Sequence, residues 1–216
     1  MGIITGYICL VLLVLLLIKG LFYKTKVNRI LKKIHKPVTY ILLCLTIIHF
    51  ILVLPVLKQR NVFLFISGIV IIVLLIALVI LWHLLKKKMK THIIISIVVL
   101  LFMVAHMIVY FIDFGNYQKK INEIEIKDID ITNVQDGKYI GEYDAGYIYA
   151  KVSVEIKNHK IEDIIILEHL TERGKKAEVI INDVLRTQTL DDEVISGATN
   201  SSLVIKKAIE NAINGR

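Results

Sequence analysis

Four long apolar stretches fill the first half of the chain and constrain its fold more than any other feature. A helix that spans the hydrocarbon core of a bilayer needs roughly 17–25 predominantly apolar residues. Three of the stretches meet this length and the first is at the short end. We therefore predict a membrane all-α four-helix bundle over residues 1–113, with helices at about 3–18, 38–57, 62–85 and 93–112.

The charged residues indicate how this bundle is oriented. Residues 1–113 contain 13 Lys or Arg and one acidic residue, and residues 114–216 contain 14 Lys or Arg and 18 acidic residues, so the two halves carry +12 and −4 of the net charge of +8. The positive excess lies in loops 19–37 and 86–90, which favours a multi-pass protein in membrane lipid over one that binds nucleic acid. Because basic loops stay in the cytoplasm, we predict that the N-terminus and the region after Asp113 are extracytoplasmic.

Histidine provides the candidate metal ligands of the bundle, since the two cysteines lack the spacing of an iron–sulfur, structural zinc or c-type haem site. His35 and His49 are 14 residues apart, as are His92 and His106. Fourteen residues of α-helix rise roughly 21 Å, so two helices of the same direction place His35 level with His92 and His49 level with His106. Two levels of paired imidazoles are what two stacked b-type haems require. The pattern resembles the membrane cytochromes b, including ferric-reductase-type cores, and the resemblance implies two haem b.

Other interpretations of these histidines stay open. Histidines inside a membrane also occur as structural residues or in quinone or ion sites. His35 and His92 are near the helix ends, where interfacial histidines occur as well. His83 lies outside the pattern beside Trp82, and is typical of an interfacial residue, with a nearby quinone site as the alternative.

The second half has the patterns of a folded domain of about 100 residues. Alternating apolar and polar residues predict strands, and apolar stripes with helical spacing predict helices. The predicted strands cover 124–131, 147–156 and 161–169, and the predicted helices cover 177–185 and 205–212. We assign residues 114–129 to a linker and first strand, and residues 130–216 to an extracytoplasmic α+β domain.

A short polar segment near the end of the chain, 191–202, reads DDEVISGATNSS and carries the candidate cofactor site. It resembles the flavinylation motif of the FMN-binding domain family, Asp-x-x-Ser/Thr-Gly-Ala-Thr. That family includes flavin-carrying components of the sodium-pumping NADH:quinone reductase and of the Rnf complex, and its last Thr carries FMN through a phosphoester bond. Here Glu193 stands at the acidic position, and the remaining matches are Ser196, Gly197, Ala198 and Thr199. The resemblance implies covalent FMN on Thr199 and a flavin transferase as partner.

The resemblance extends over most of residues 130–216. DGKYIGEY at 136–143 resembles the family's opening strand, and NHKIEDIIILEH at 158–169 resembles its central hairpin. The loop HLTERG resembles one that carries His and Glu in the family, which implies His169 and Glu172 as further cofactor-binding residues.

Two physical interpretations of the motif are possible. A phosphodiester on Thr199 would lie at the N-terminus of a helix that begins near Asn200, where free N–H groups and the helix dipole favour an anion. The stretch is also typical of an N-cap, because Thr, Asn and Ser are good capping residues. Four tyrosines either stack on the flavin or are ordinary strand residues: Tyr139, Tyr143, Tyr147 and Tyr149.

Together these features predict an oxidoreductase or electron-transfer component of the cell membrane. Electrons would pass from a cytoplasmic-side or quinol donor through two b-type haems to FMN at Thr199, and on to an extracytoplasmic acceptor or redox partner protein. Two alternatives stay open: a subunit of a larger redox complex, and a haem-free, membrane-anchored flavin carrier.

Overall fold

The computed structural model divides the chain into two compact units, residues 1–112 and 113–216. It describes the backbone of residues 2–21, 26–54, 61–84, 89–171 and 173–215, and the side chains of these residues except 19–21, 26–30, 82–84 and 89. The side chain of His83 and all of Glu172 therefore lie outside the described part of the chain.

The first unit is helical. Its helices are α1 (Gly2–Leu21), α2 (Lys26–Val53), α3 (Val62–Leu84) and α4 (Met89–Asn122), of which α4 continues into the second unit. Three of them contain segments long and apolar enough to cross a membrane: Leu31–Val53, Val62–Leu81 and Lys90–Asn122. The apolar part of α1, Gly2–Ile18, is shorter. This composition is compatible with a membrane protein.

Helices α2 and α4 are longer than the apolar spans that the sequence predicts. Helix α2 begins 12 residues before the predicted span at 38, and α4 ends ten residues after the predicted limit at 112. The apolar pattern marks only the part of a helix that avoids water, whereas backbone hydrogen bonding continues through the flanking polar residues. His35 consequently lies within α2.

One hydrophobic cluster holds the first unit together, and all four helices contribute to it. Its buried members are Cys9, Leu13, Leu42, Ile71, Leu75, Leu78 and Val99. Other large aliphatic side chains, such as Val11, Ile94 and Leu101, are exposed. Apolar side chains outside as well as inside the cluster are what helices in contact with lipid tails require.

The second unit contains an antiparallel sheet in the order β1-β2-β3, formed by Gly137–Asp144, Tyr149–Lys157 and Lys160–Leu170. Strands β2 and β3 form a hairpin through Asn158 and His159, whose φ angles are 53° and 58°. Two successive left-handed residues match the twist of a two-residue hairpin, so the turn predicted at KNHK is confirmed.

Helix α6 (Thr199–Asn214) covers one face of this sheet. Alternate residues of β2 point into the core and are at most 1% exposed, namely Ala150, Val152, Val154 and Ile156. The predicted apolar stripe of α6 is buried against them, at Ile205, Ala208, Ile209 and Ala212. Gly141 of β1 permits close packing, because a Cβ there would meet the α6 backbone.

The helix predicted over 177–185 is divided in two. A 3-10 helix covers Lys175–Val179, and helix α5 covers Ile180–Thr187. Single 3-10 turns are common at the start of α-helices, and the apolar stripe is kept, since Ala177, Ile180 and Val184 are fully buried.

The strand predicted over residues 124–131 is wrong, because this segment forms no ladder. Its alternation is nevertheless reflected in packing, since Ile129 is buried and neighbouring isoleucines pack against the core. Side chains bind its backbone instead: the Lys127 N–H donates to Glu210 at 3.2 Å, and the Ile129 N–H donates to Asp128 at 3.0 Å. Alternation reports which side of an extended chain is buried, and only a neighbouring strand makes that chain part of a sheet.

Candidate functional site

Thr199 is the first residue of α6 and is exposed. The N-cap of the helix is Ala198, and no side-chain hydrogen bond caps it. The interpretation of this stretch as a side-chain N-cap is therefore wrong. The first N–H groups of an α-helix lack intrahelical partners, so α6 presents a partial positive charge next to the Thr199 hydroxyl.

The loop before Thr199 is fixed from within the domain. The Ala198 N–H donates to the Ile195 carbonyl at 2.9 Å. Ser202, which is fully buried, accepts from the Ile195 N–H at 3.1 Å, and its hydroxyl lies 3.2 Å from the Ala198 carbonyl. Because the buried Ser202 side chain contacts the backbone at both Ile195 and Ala198, it holds the turn in place. Ser196 and Gly197, within the turn, are exposed.

Lys176 places a cation over this turn, which the sequence does not indicate. Gly197 has a φ of 69°, and a Cβ built on it would lie 2.8 Å from the Lys176 Nζ. Lys176 belongs to the 3-10 helix, 21 positions away in sequence. Its ammonium group, close to the backbone two residues before Thr199, would attract an anion attached there.

A second loop lies against the first turn of α6. The Thr171 and Ser201 hydroxyls are 3.2 Å apart, and Thr171 accepts from the Gly174 N–H at 2.9 Å. A Cβ on Gly174 would overlap Ser201 at 1.8 Å, so this loop requires glycine. Glu172, predicted as a cofactor ligand, belongs to this loop but lies outside the described residues.

His169 and Glu193 differ in their accessibility. The side chain of His169 is 1% exposed, and its Nδ1 lies 2.9 Å from a Glu178 carboxylate oxygen. That interaction holds His169 against the 3-10 helix that also carries Lys176. Glu193, at the acidic position of the motif, is exposed.

Aromatic side chains approach the other side of the α6 N-terminus. The Asn200 side-chain amide donates to the Tyr117 hydroxyl at 2.8 Å. Tyr117 packs on Tyr147 with ring centroids 5.0 Å apart, and Phe114 packs on both. Of the four tyrosines considered from sequence, Tyr147 is thus the one that this cluster connects to the residue after Thr199. Tyr117 was missed because it precedes residues 130–216, the range that the sequence analysis assigns to the domain.

The structure brings together the two histidines of each predicted pair in the first unit. The rings of His35 and His92 have centroids 6.2 Å apart and meet edge to face. His49 and His106 line a common cavity. No cluster of three or more His, Cys, Asp or Glu side chains that would hold a metal ion occurs among the described residues, so each level offers two imidazoles.

The cavity at His49 and His106 is apolar apart from a few groups, and all four helices line it. Gly6 of α1 and Gly68 of α3 are part of its wall, and Met103 and Met107 of α4 contribute flexible thioethers. An apolar cavity with a small number of convergent polar groups is typical of a cofactor site.

Comparison with known proteins gives one result. Residues 145–214 match the family model described as FMN-binding domain. The searches of curated proteins and of solved structures give no match. The matched region contains the hairpin, α5, α6 and the motif at 196–199. The match supports the FMN-binding domain family for this part of the chain, and with it a flavin-carrying role in electron transfer.

Proposed function

We propose that this protein transfers electrons across a membrane, from a cytoplasmic-side or quinol donor through two b-type haems to FMN bound covalently at Thr199. An extracytoplasmic acceptor or redox partner protein then takes the electrons. The observation that carries the proposal is an exposed threonine at the first position of α6, within the region that matches the FMN-binding domain.

The surroundings of Thr199 support a phosphoester at its hydroxyl. The N-terminus of α6 and the ammonium group of Lys176 both favour negative charge beside it. Ser196 and Gly197 are exposed, which leaves the turn accessible to a flavin transferase, and Glu193 places an exposed acid at the motif's first position. Bound FMN would supply the redox chemistry, while the buried turn at Ser202 holds its attachment point.

The two histidine pairs would hold two b-type haems, each iron bound by one imidazole from α2 and one from α4. The His35 and His92 centroids are 6.2 Å apart. His49 and His106 line the apolar cavity described above. Haem bound at these pairs would supply one-electron redox chemistry.

The sequence also supports an orientation for this path. The basic segments 19–37 and 86–90 favour the cytoplasm. With that orientation, His35 and His92 are on the cytoplasmic side, His49 and His106 are nearer the outside, and the C-terminal domain with Thr199 is extracytoplasmic.

Intact-mass and peptide mass spectrometry of the purified full-length protein test the flavin. We expect FMN on the peptide that contains Thr199, and its complete loss in Thr199→Val. Thr132→Val, which changes another exposed threonine of the second unit, should keep full modification. FMN found on another residue, or none after expression with a flavin transferase, would contradict the assignment.

The visible spectrum of the same sample tests the haems. We expect two haems per chain, and the loss of one in His49→Ala or His106→Ala. His83→Ala, outside the pairs, should retain both. If a preparation supplied with haem shows no Soret band, the haem proposal fails and the haem-free flavin carrier is the function. Stable co-purification with large redox subunits would instead favour a component of a larger complex.

A further inference from the structure

The imidazoles of His49 and His106 are each held by a neighbouring helix that supplies no ligand of its own. Helix α1 contacts His49, and α3 contacts His106. Gly6 of α1 permits the close approach, because a Cβ there would lie 3.1 Å from the Cε1 atom of His49. These contacts determine which ring nitrogen carries the proton, and therefore which one is available to a metal.

At His49 the proton must be on Nδ1. This nitrogen lies 2.8 Å from the Gly2 carbonyl oxygen, which only accepts hydrogen bonds. The Thr5 hydroxyl donates to the same carbonyl at 2.7 Å, so its oxygen, 3.1 Å from Nδ1, acts toward the ring as a second acceptor. A protonated Nδ1 in the neutral ring leaves the lone pair on Nε2.

At His106 a serine gives the same result. Ser67 is 1% exposed, and its hydroxyl donates to the Phe63 carbonyl at 2.6 Å. The same oxygen lies 2.7 Å from the His106 Nδ1. The hydroxyl has a single proton, so both short contacts are satisfied only when Nδ1–H donates to Ser67. The lone pair of His106 is then also on Nε2.

We propose that α1 and α3 set both imidazoles in the Nδ1–H tautomer, and that Ser67 is the positioning residue of His106. This inference rests on the proposed function for its ligand, a haem iron bound through Nε2. A hydrogen bond from Nδ1–H to a fixed acceptor orients a metal-ligating imidazole and raises its basicity. The two helices without ligands would thus act on a bound haem through the imidazole rings of His49 and His106.

The tautomers are measured without haem. Full-length protein labelled with ¹⁵N-histidine and prepared haem-free gives distinct ¹⁵N shifts for protonated and unprotonated ring nitrogens, assigned by comparison with His49→Ala and His106→Ala. Wild type should show unprotonated Nε2 at both residues. In Ser67→Ala the ratio of the two tautomers at His106 should fall about fivefold, the equivalent of one ordinary hydrogen bond, with His49 unchanged.

Ser96→Ala is the matched control. Ser96 is also buried, and its hydroxyl donates to the carbonyl four residues earlier, that of His92, at 2.7 Å, without a described contact to a histidine ring. It should leave the tautomers of His49 and His106 unchanged. Ser67→Thr retains the hydroxyl and should restore the wild-type ratio, which separates the hydrogen bond from a packing effect.

The haem-loaded protein gives an independent readout. Ser67→Ala should keep two haems per chain but raise one of the two midpoint potentials, since a less basic ligand stabilises ferric iron less. Protonated Nε2 in wild type, or equal tautomer ratios in wild type and Ser67→Ala, would overturn the inference. Wild-type protein with the expected tautomers but no haem would instead overturn the proposed function and leave the tautomer assignment intact.

Discussion

Gly141→Ala should strongly destabilise the second unit. Gly141 lies in β1 beneath α6, and a Cβ built there would be 2.2 Å from both the carbonyl oxygen of Ala208 and the backbone nitrogen of Ala212. Since these are backbone atoms, rotation of a side chain cannot relieve the overlap. The helix would have to move away from the sheet by about 1 Å in a closely packed core.

The expected cost follows from this overlap. Overpacking that side chains can absorb costs about 1–3 kcal/mol, so a clash with backbone should cost at least about 3 kcal/mol. For a domain of about 100 residues this lowers the Tm by more than about 10 °C. Because α6 begins at Thr199, the proposed flavin attachment should fall as well.

Thermal unfolding of the full-length protein in detergent, followed by near-UV circular dichroism and by proteolysis of the second unit, measures this effect. Gly115→Ala is the control, because Gly115 lies in α4 with nothing within 4 Å of an added Cβ. It should be neutral or stabilise by up to about 1 kcal/mol. A Gly141→Ala variant that unfolds within about 2 °C of wild type would show that the sheet and α6 accept the added methyl group.

Three further variants probe the same domain. The hydrogen bond from Tyr149 to Glu142 raises the pKa of Tyr149 to about 12. The stabilisation from this hydrogen bond is present below pH 10 and lost as pH rises through 12. Glu142→Gln should move the ionisation of Tyr149 to lower pH, and an unchanged titration curve would contradict this. Hydrogen bonds from the side chain of Thr189 and from backbone N–H groups lower the pKa of the exposed Asp128. In chemical denaturation at pH 7, Asp128→Asn should lower the free energy of unfolding by up to about 1 kcal/mol. This difference from wild type should vanish as the pH falls through the lowered pKa, and an equal loss at all pH values would contradict the prediction. Gly197→Ala should lower the free energy of unfolding by about 1 kcal/mol, because Gly197 has a φ of 69°. Gly197→Asn should lose less stability, and equal Tm values for the two variants would contradict backbone strain as the cause.

Much of the fold was predictable because its determinants are local or periodic. Apolar length alone located the helices of the first unit, and the 14-residue spacing placed His35 near His92 because α2 and α4 run in the same direction. The stripe at Ile205 and Ala208 predicted the buried face of α6, and KNHK predicted the hairpin. Each of these follows from a repeat or a turn preference that is visible without tertiary contacts.

Other predictions failed where the outcome depended on side-chain contacts that the local pattern does not show. The alternation at 124–131 has the period of a strand, yet the Glu210 carboxylate and the Asp128 side chain bind that backbone in place of a neighbouring strand. Thr199 has the composition of an N-cap, yet the turn held by Ser202 moves the cap to Ala198. In both cases a buried side chain of α6, that of Glu210 or of Ser202, makes one of the contacts that override the local preference.

The apolar helices, the spacing of the histidines and the motif at 196–199 can be read from the amino-acid order, because each depends on spacing along one chain. Four contacts depend on the packed fold: Lys176 with Gly197, Tyr117 with Asn200, and Gly2 and Ser67 with the Nδ1 atoms of His49 and His106. These contacts join residues from 21 to 83 positions apart. Composition and periodicity do not predict such long-range contacts, which form only when whole helices and strands pack against one another.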